Sequence, residues 1–344
     1  MTTYKAPLRD MQFVMQDLLN FEKHYQSLPA CDEINQELID AILGEASKFS
    51  EEVVAPLNAV GDEAGCEMLE NGEVRTPPGF KEAYQQYVDG GWPSLDQPSR
   101  YGGQDLPLSI GMTIREMAGT ANWSWAMYSG LSHGAMETID AHGSEEQKAL
   151  FMEPLVSGRW TGTMCLTEAH CGTDLGLLKT KAELAADGTY RVTGSKLFVS
   201  SGEHDLAENI VHIVLARLPD APPGTKGISL FIVPKFVPND DGSIGERNNV
   251  RCGALERKMG IHGNSTCLLN FDGATGYLVG EENKGLHYMF TFMNFARLGT
   301  GLQGLAHSEL AFQNSLAYAR DRLQMRSLSG PKNPAGPADP IIVH

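Results

Sequence analysis

The feature that most constrains this chain is a change in residue spacing near Gly158. Before that point apolar residues recur at steps of three and four. One stripe runs Ile34, Leu38, Ile42, Ala46, Phe49 and Val53 and ends near Pro56, which predicts an amphipathic helix. A second helical block covers about 109–156, and Ser144 before Glu145-Glu146-Gln147-Lys148 reads as a capped helix start. Pro77-Pro78-Gly79, Trp92-Pro93 and Tyr101-Gly102-Gly103 punctuate the stretch between them. After Gly158 the pattern turns to short β-prone segments at 190–194, 196–200, 210–216, 228–233, 267–271 and 277–279. The connectors at 219–224 and 238–245 are turn-rich. About six strands with no helix-length crossover between them predict an antiparallel barrel or sandwich. Helical spacing returns at Gly285, through Leu286, Met289, Phe290, Met293, Leu298, Leu302 and Leu305, and ends near Arg326. The tail at 329–340 reads as a linker or loop.

Charge and composition narrow the function classes. With 27 Lys+Arg against 43 Asp+Glu the net charge is −16, which argues against nucleic acid or an anionic membrane surface as main partners. Hydrophobic residues at 42% and charged residues at 20% exclude disorder as the main state. The opening ten residues hold no apolar leader core, and the apolar run at 228–233 is strand-sized. Six scattered cysteines, without a Cys-x-x-Cys pair, fit a reduced compartment. The expectation is a soluble cytoplasmic protein.

Several motifs invite chemistry. Gly299-Thr300-Gly301-Leu302-Gln303-Gly304 matches a dinucleotide fingerprint, but the fingerprint needs a preceding strand and here a helical run precedes it. A small-residue stripe under a neighbouring helix is the preferred reading. Gly130-Leu131-Ser132-His133-Gly134 matches a nucleophile elbow, yet its flanks are helical and no βα alternation surrounds it. Ser132 and His133 are expected as packed polar residues of a buried helix. Cys165, His170 and Cys171, or Glu203-His204-Asp205, lack a fourth ligand at a familiar metal spacing; no metal is expected. The stretch from Thr161 to Asp174 concentrates hydroxyls and glycines where helices give way to strands. Such a segment suits a flat polar ligand, and an ordinary connecting loop fits its composition equally well.

Four segments in order resemble the acyl-CoA dehydrogenase family. They are Cys165-Leu166-Thr167-Glu168-Ala169 with Gly172-Thr173-Asp174, then Gly194-Ser195-Lys196-Leu197-Phe198-Val199-Ser200-Ser201-Gly202. Glu256-Arg257-Lys258-Met259-Gly260 follows, and Gly280-Glu281-Glu282-Asn283-Lys284-Gly285 leads to Arg297 and Arg322. Tyr4-Lys5-Ala6-Pro7 and Met164 with the first segment resemble the long subgroup described as 3-(methylthio)propanoyl-CoA dehydrogenase-like. The resemblance implies an α+β chain: an all-α N-terminal domain (1–157), a central β-barrel (158–282) and the start of a truncated C-terminal helical bundle (283–344). It implies FAD between barrel and bundle, an acyl-CoA substrate, an electron-transferring flavoprotein as electron acceptor, and a homodimer or homotetramer. Met164, Leu166, Thr167, Gly172, Thr173, Phe198, Ser200 and Arg322 would hold the flavin. Phe198 stands where many relatives shield the flavin with Trp, and Ser200 where many place a Thr near N5. Thr173 and Arg297 would serve the substrate side.

Two departures accompany the resemblance. Ala169 replaces the usual Pro. The general-base Glu of most relatives is expected beyond His344, and a minority place it at the position of Ala296. The competing class is a relative that binds an acyl-CoA or a protein partner without turnover.

Overall fold

The computed structural model describes residues 3–29, 31–332 and 334–344; what was expected of Met1, Thr2 and Asn333 in the opening and tail segments lies outside them. Eight helices come first: α1 (Leu8–Gln12), α2 (Phe21–Tyr25), α3 (Gln36–Phe49), α4 (Leu57–Ala64), α5 (Phe80–Asp89), α6 (Leu108–Ala121), α7 (Trp123–His142) and α8 (Glu145–Val156). A small ladder of β1 (Glu67–Met68) and β2 (Val74–Arg75) interrupts them. The remaining strands are β3 (Trp160–Cys165), β4 (Lys181–Leu184), β5 (Tyr190–Ser200), β6 (Asn209–Ala216), β7 (Ser229–Pro234), β8 (Phe236–Pro238), β9 (Ile244–Arg247), β10 (Val250–Leu255) and β11 (Thr266–Val279). Helix α9 (Gly285–Asp321) then runs for 37 residues, roughly 55 Å at 1.5 Å per residue. The order of helices, strands and helix is the one the spacing predicts.

Local chemistry accounts for the helix starts. Asn35 accepts from Leu38 N at 2.9 Å to open α3, and Ser144 and Gln147 form a reciprocal capping box at α8. The buried face of α3 differs from the expected stripe. Ile39, Leu43 and Ala46 point inward, whereas Leu38 is exposed. The cluster of Met11, Tyr25, Ile110 and Met117 selects this face, one residue round from the stripe that spacing alone favoured. The predicted block at 109–156 is three helices, because Asn122 and Gly143-Ser144 reset the chain between them.

The strands depart further from expectation. The main sheet has seven strands in the order β3-β6-β7-β11-β5-β4, with β10 also paired to β11. All its pairs are antiparallel except β3–β6, which is parallel. A parallel pair needs a long return path, and here strands β4 and β5 supply it instead of a helix. Among the described residues the pairings run as a path from β3 to β4 rather than a ring. A single bridge joins Lys181 to Arg217, so the expected antiparallel barrel is a curled mixed sheet. The predicted segments at 190–194 and 196–200 are one strand, β5, and those at 267–271 and 277–279 are one strand, β11.

Strand β6 is buried along its whole length. Val211, Ile213 and Leu215 face a core shared with α7, α8 and α9, while Val214 and Ala216 face the sheet interior beside Val192, Phe231 and Leu269. Alternation by two thus feeds two cores from one strand. The helix α9 reaches the first core through Met289 and Phe292. A Cβ at Gly134 would lie 2.4 Å from Phe292 Cδ1, so α7 and α9 approach closely only because that residue has no side chain.

Candidate functional site

The site begins with an irregularity in β5. Cys267 pairs with Val199 and Leu269 with Lys196, so Leu197 and Phe198 together oppose Leu268. This extra residue is a β-bulge. Phe198 takes φ 57° and is 60% exposed, an uncommon state for a bulky residue. Beside it, Leu197 N donates to Thr167 O at 2.8 Å, which ties the bulge to the segment after β3.

That segment is anchored from beneath. Lys196, fully buried, donates from Nζ to Glu168 Oε1 at 2.8 Å and to Leu166 O at 3.0 Å. Glu168 also accepts from Thr180 N at 3.0 Å and Lys179 N at 2.7 Å. Burial alone raises a carboxyl pKa, but the Lys196 charge and these N–H donors hold Glu168 down to about 2. It is ionised and engaged, which unsuits it to act as a base. Both residues stand in the family-like segments, and nothing in their spacing reveals that they pair. A lone lysine in a β-prone run is the only signal that pointed to it.

The part of the stretch from Thr161 to Cys165 is strand β3, not loop. Thr161 and Thr163 are fully buried, and their hydroxyls meet His204 Nε2 at 3.0 Å and His212 Nδ1 at 2.7 Å. Burial drives His212 down to about 3, helped by Arg247 and Lys235, so it is neutral. These hydroxyls are spent within the core. The exposed part lies further on, at Gly172 and Thr173.

A cavity of about 280 Å³ lies between α6, α7, α9 and the ends of β3 and β5. Met164 and Ser200 line it from the sheet, and Ala296 and Gly299 from α9. Trp123, Trp125, Phe292 and Phe295 give it an aromatic side. Of the expected flavin residues, the structure therefore brings Met164 and Ser200 to one cavity. Leu166 and Thr167 are half-buried next to it in sequence, and Leu166 packs on the core beneath. Arg297 and Arg322 are exposed on and just after α9. Arg297 lies over the Phe290 ring at 5.3 Å and Arg322 donates to Gln324 at 3.4 Å. Among the described residues no Asp or Glu lines the cavity.

The other motifs resolve into structure. Ser132 Oγ accepts from Gly162 N at 3.0 Å, His133 is buried, and Gly134 admits Phe292. These are the packed polar residues expected of a helix. Within this chain no neighbouring helix of the described residues packs on the glycines at 299–304. A Cβ at Gly299, Gly301 or Gly304 would meet nothing within 4 Å, because Met289, Phe292 and Ala306 are the buried residues of this helix beyond its first. Burial pushes the Cys165 thiol up to about 12. Glu168, His170 and Cys171 bring ligand atoms within 4.8 Å of one another, but Glu168 is committed to Lys196 and His170 Nε2 to Leu177 O at 3.0 Å. Glu203, His204 and Asp205 turn to different partners: Lys235 and Arg247, Thr161, and Thr76. No helix of the described residues is long and apolar enough to cross a membrane.

Comparison with known proteins agrees with this arrangement. Residues 36–159 match the acyl-CoA dehydrogenase N-terminal domain and residues 163–274 its middle domain. A 3-methylmercaptopropionyl-CoA dehydrogenase of Ruegeria pomeroyi is 45% identical over 342 residues, 99% of this chain and 57% of that protein. The chain thus spans little more than half the length of this curated relative. The butyryl-CoA dehydrogenase structure from Megasphaera elsdenii superposes with TM-score 0.71 at 26% identity, over 88% of this chain and 73% of that one. An acyl-CoA dehydrogenase from Bacillus anthracis, complexed with FAD, does so with TM-score 0.69 at 25% identity, over 87% and 46%. On its domain matches and its close relative, the chain belongs to the acyl-CoA dehydrogenase family.

Proposed function

We propose that this chain forms the flavin-facing and acyl-facing walls of an FAD-dependent dehydrogenase that converts an acyl-CoA to a trans-2-enoyl-CoA. The observation that carries the reading is the meeting of Met164, Ser200 and Ala296 on one aromatic cavity next to the strained, exposed Phe198. Those residues fit FAD: an unpaired aromatic face, nearby hydroxyls on Thr167 and Ser200, and a water-poor cavity at their side. FAD, when bound, supplies the two-electron acceptor for the β hydride. Met164, Leu166 and Thr167 would hold the ring edge, Phe198 would cover one face, and Ser200 would donate near the hydride-accepting position. Gly172, Thr173 and Arg322 serve the pyrophosphate, while Thr173 and Arg297 face the substrate side. The Trp and Phe wall excludes water from the acyl group, which strengthens hydrogen bonds to the developing enolate. The substrate is a short acyl-CoA of the 3-(methylthio)propanoyl type, the electrons pass to an electron-transferring flavoprotein, and the working unit is a homodimer or homotetramer.

Ala296 favours a second reading, a binding protein without turnover, since among the described residues no carboxylate lines the cavity where an α proton would leave. Anaerobic mixing of the FAD-loaded full-length protein with 3-(methylthio)propanoyl-CoA separates the two. Binding with bleaching of the oxidised flavin band supports the dehydrogenase, and binding without bleaching supports the second reading. A protein that takes up no FAD overturns the dehydrogenase reading, and one that also binds no acyl-CoA leaves the second without its ligand.

A further inference from the structure

Arg115 on α6 is the only side chain charged at neutral pH among the described residues that line the acyl cavity. Its charge is already answered. Nη1 lies 2.8 Å from Asp96 Oδ2 and Nη2 3.0 Å from Asp96 Oδ1. Nη2 also donates to His133 Nδ1 at 3.0 Å, and Gln97 Nε2 meets the same nitrogen at 2.9 Å. A guanidinium can only donate, so His133 Nδ1 is an acceptor. The His133 ring stacks on Phe295 at 4.0 Å, and Phe295 carries the arrangement into the cavity wall.

Asp96 has no room to retreat. Its side chain is 1% exposed, and a Cβ at Gly111 would lie 2.0 Å from its Oδ2. Gln97 Nε2 holds Oδ1 at 3.0 Å. Burial opposes its charge, but Arg115 and the Gln97 amide keep its pKa below the ordinary carboxylate range. An acid-tailed acyl group reaching Arg115 would therefore set a second carboxylate on a guanidinium whose charge Asp96 has neutralised.

We propose that Asp96 is a specificity-determining residue that reserves the cavity for acyl groups with uncharged tails by neutralising Arg115. Rejection of the wrong ligand comes from a fixed repulsive group rather than from a missing contact. This inference rests on the acyl-CoA reading given above.

The test compares two five-carbon esters, pentanoyl-CoA and glutaryl-CoA, by isothermal titration calorimetry with FAD present. The unaltered chain is expected to bind pentanoyl-CoA at least about tenfold more tightly. Asp96→Asn should strengthen glutaryl-CoA binding by about tenfold while pentanoyl-CoA stays within about threefold. The double variant Asp96→Asn, Arg115→Met should lose that gain. Equal affinity of the unaltered chain for the two esters overturns the proposal without any variant having to fold. So does a folded Asp96→Asn protein, checked by circular dichroism, that still discriminates as before. If the unaltered chain binds neither ester, the acyl-CoA reading itself fails and takes the proposal with it.

Discussion

Replacing Lys196 by Met removes the lysine charge paired with the buried carboxylate of Glu168. Met fills similar volume, so the change isolates the charge. Glu168 would keep two backbone donors, Lys179 N and Thr180 N, but lose Nζ at 2.8 Å. Breaking a buried ion pair from one side costs about 3–5 kcal/mol. The pKa gives a second route to the magnitude. A glutamate brought from 4.5 down to about 2 contributes roughly 3 kcal/mol at neutral pH. The folded value is depressed, so this stability is fully present above pH 4.5 and is lost as pH falls through about 2. In Lys196→Met the carboxyl takes a proton more readily, because only the two backbone donors then oppose burial. The stability gap between the two proteins should therefore be full at pH 7 and visibly narrower at pH 3. Urea unfolding followed by circular dichroism at both pH values measures it. Glu168→Gln combined with Lys196→Met should recover much of the loss, since no charge stays buried. A gap below about 1 kcal/mol at pH 7, or one unchanged at pH 3, would refute the reasoning.

Phe198→Gly should leave stability within about 1 kcal/mol of the parent, because glycine accepts φ 57° without strain. The same variant should weaken FAD binding by about threefold to tenfold, the worth of one stacking contact; an unchanged dissociation constant counts against Phe198 as a flavin face. Gly134→Val should lower stability by about 1–3 kcal/mol through overpacking against Phe292. A melting temperature equal to the parent's would mean that α7 and α9 are not held at that distance.

The sequence alone determined the coarse order of the chain. Spacing of three and four against short β-prone runs is set by where apolar residues must fall on each backbone, and that is written locally. The capped start of α8 and the helical nature of the Gly130–Gly134 segment were legible for the same reason. Which face of α3 is buried was not, because Leu38 and Ile39 are equally apolar and only the neighbours Ile110 and Met117 choose between them. The parallel β3–β6 pair was hidden too, since pairing joins residues some fifty positions apart and leaves no local mark. At the site, motif-like segments located Met164 and Ser200, but the cavity they share exists only once α9 returns across α6 and α7. Glu168 with Lys196 and Asp96 with Arg115 are decided wholly by tertiary structure. A buried charge is tolerable only where the fold delivers its partner, and the partner's position is a property of the packed chain.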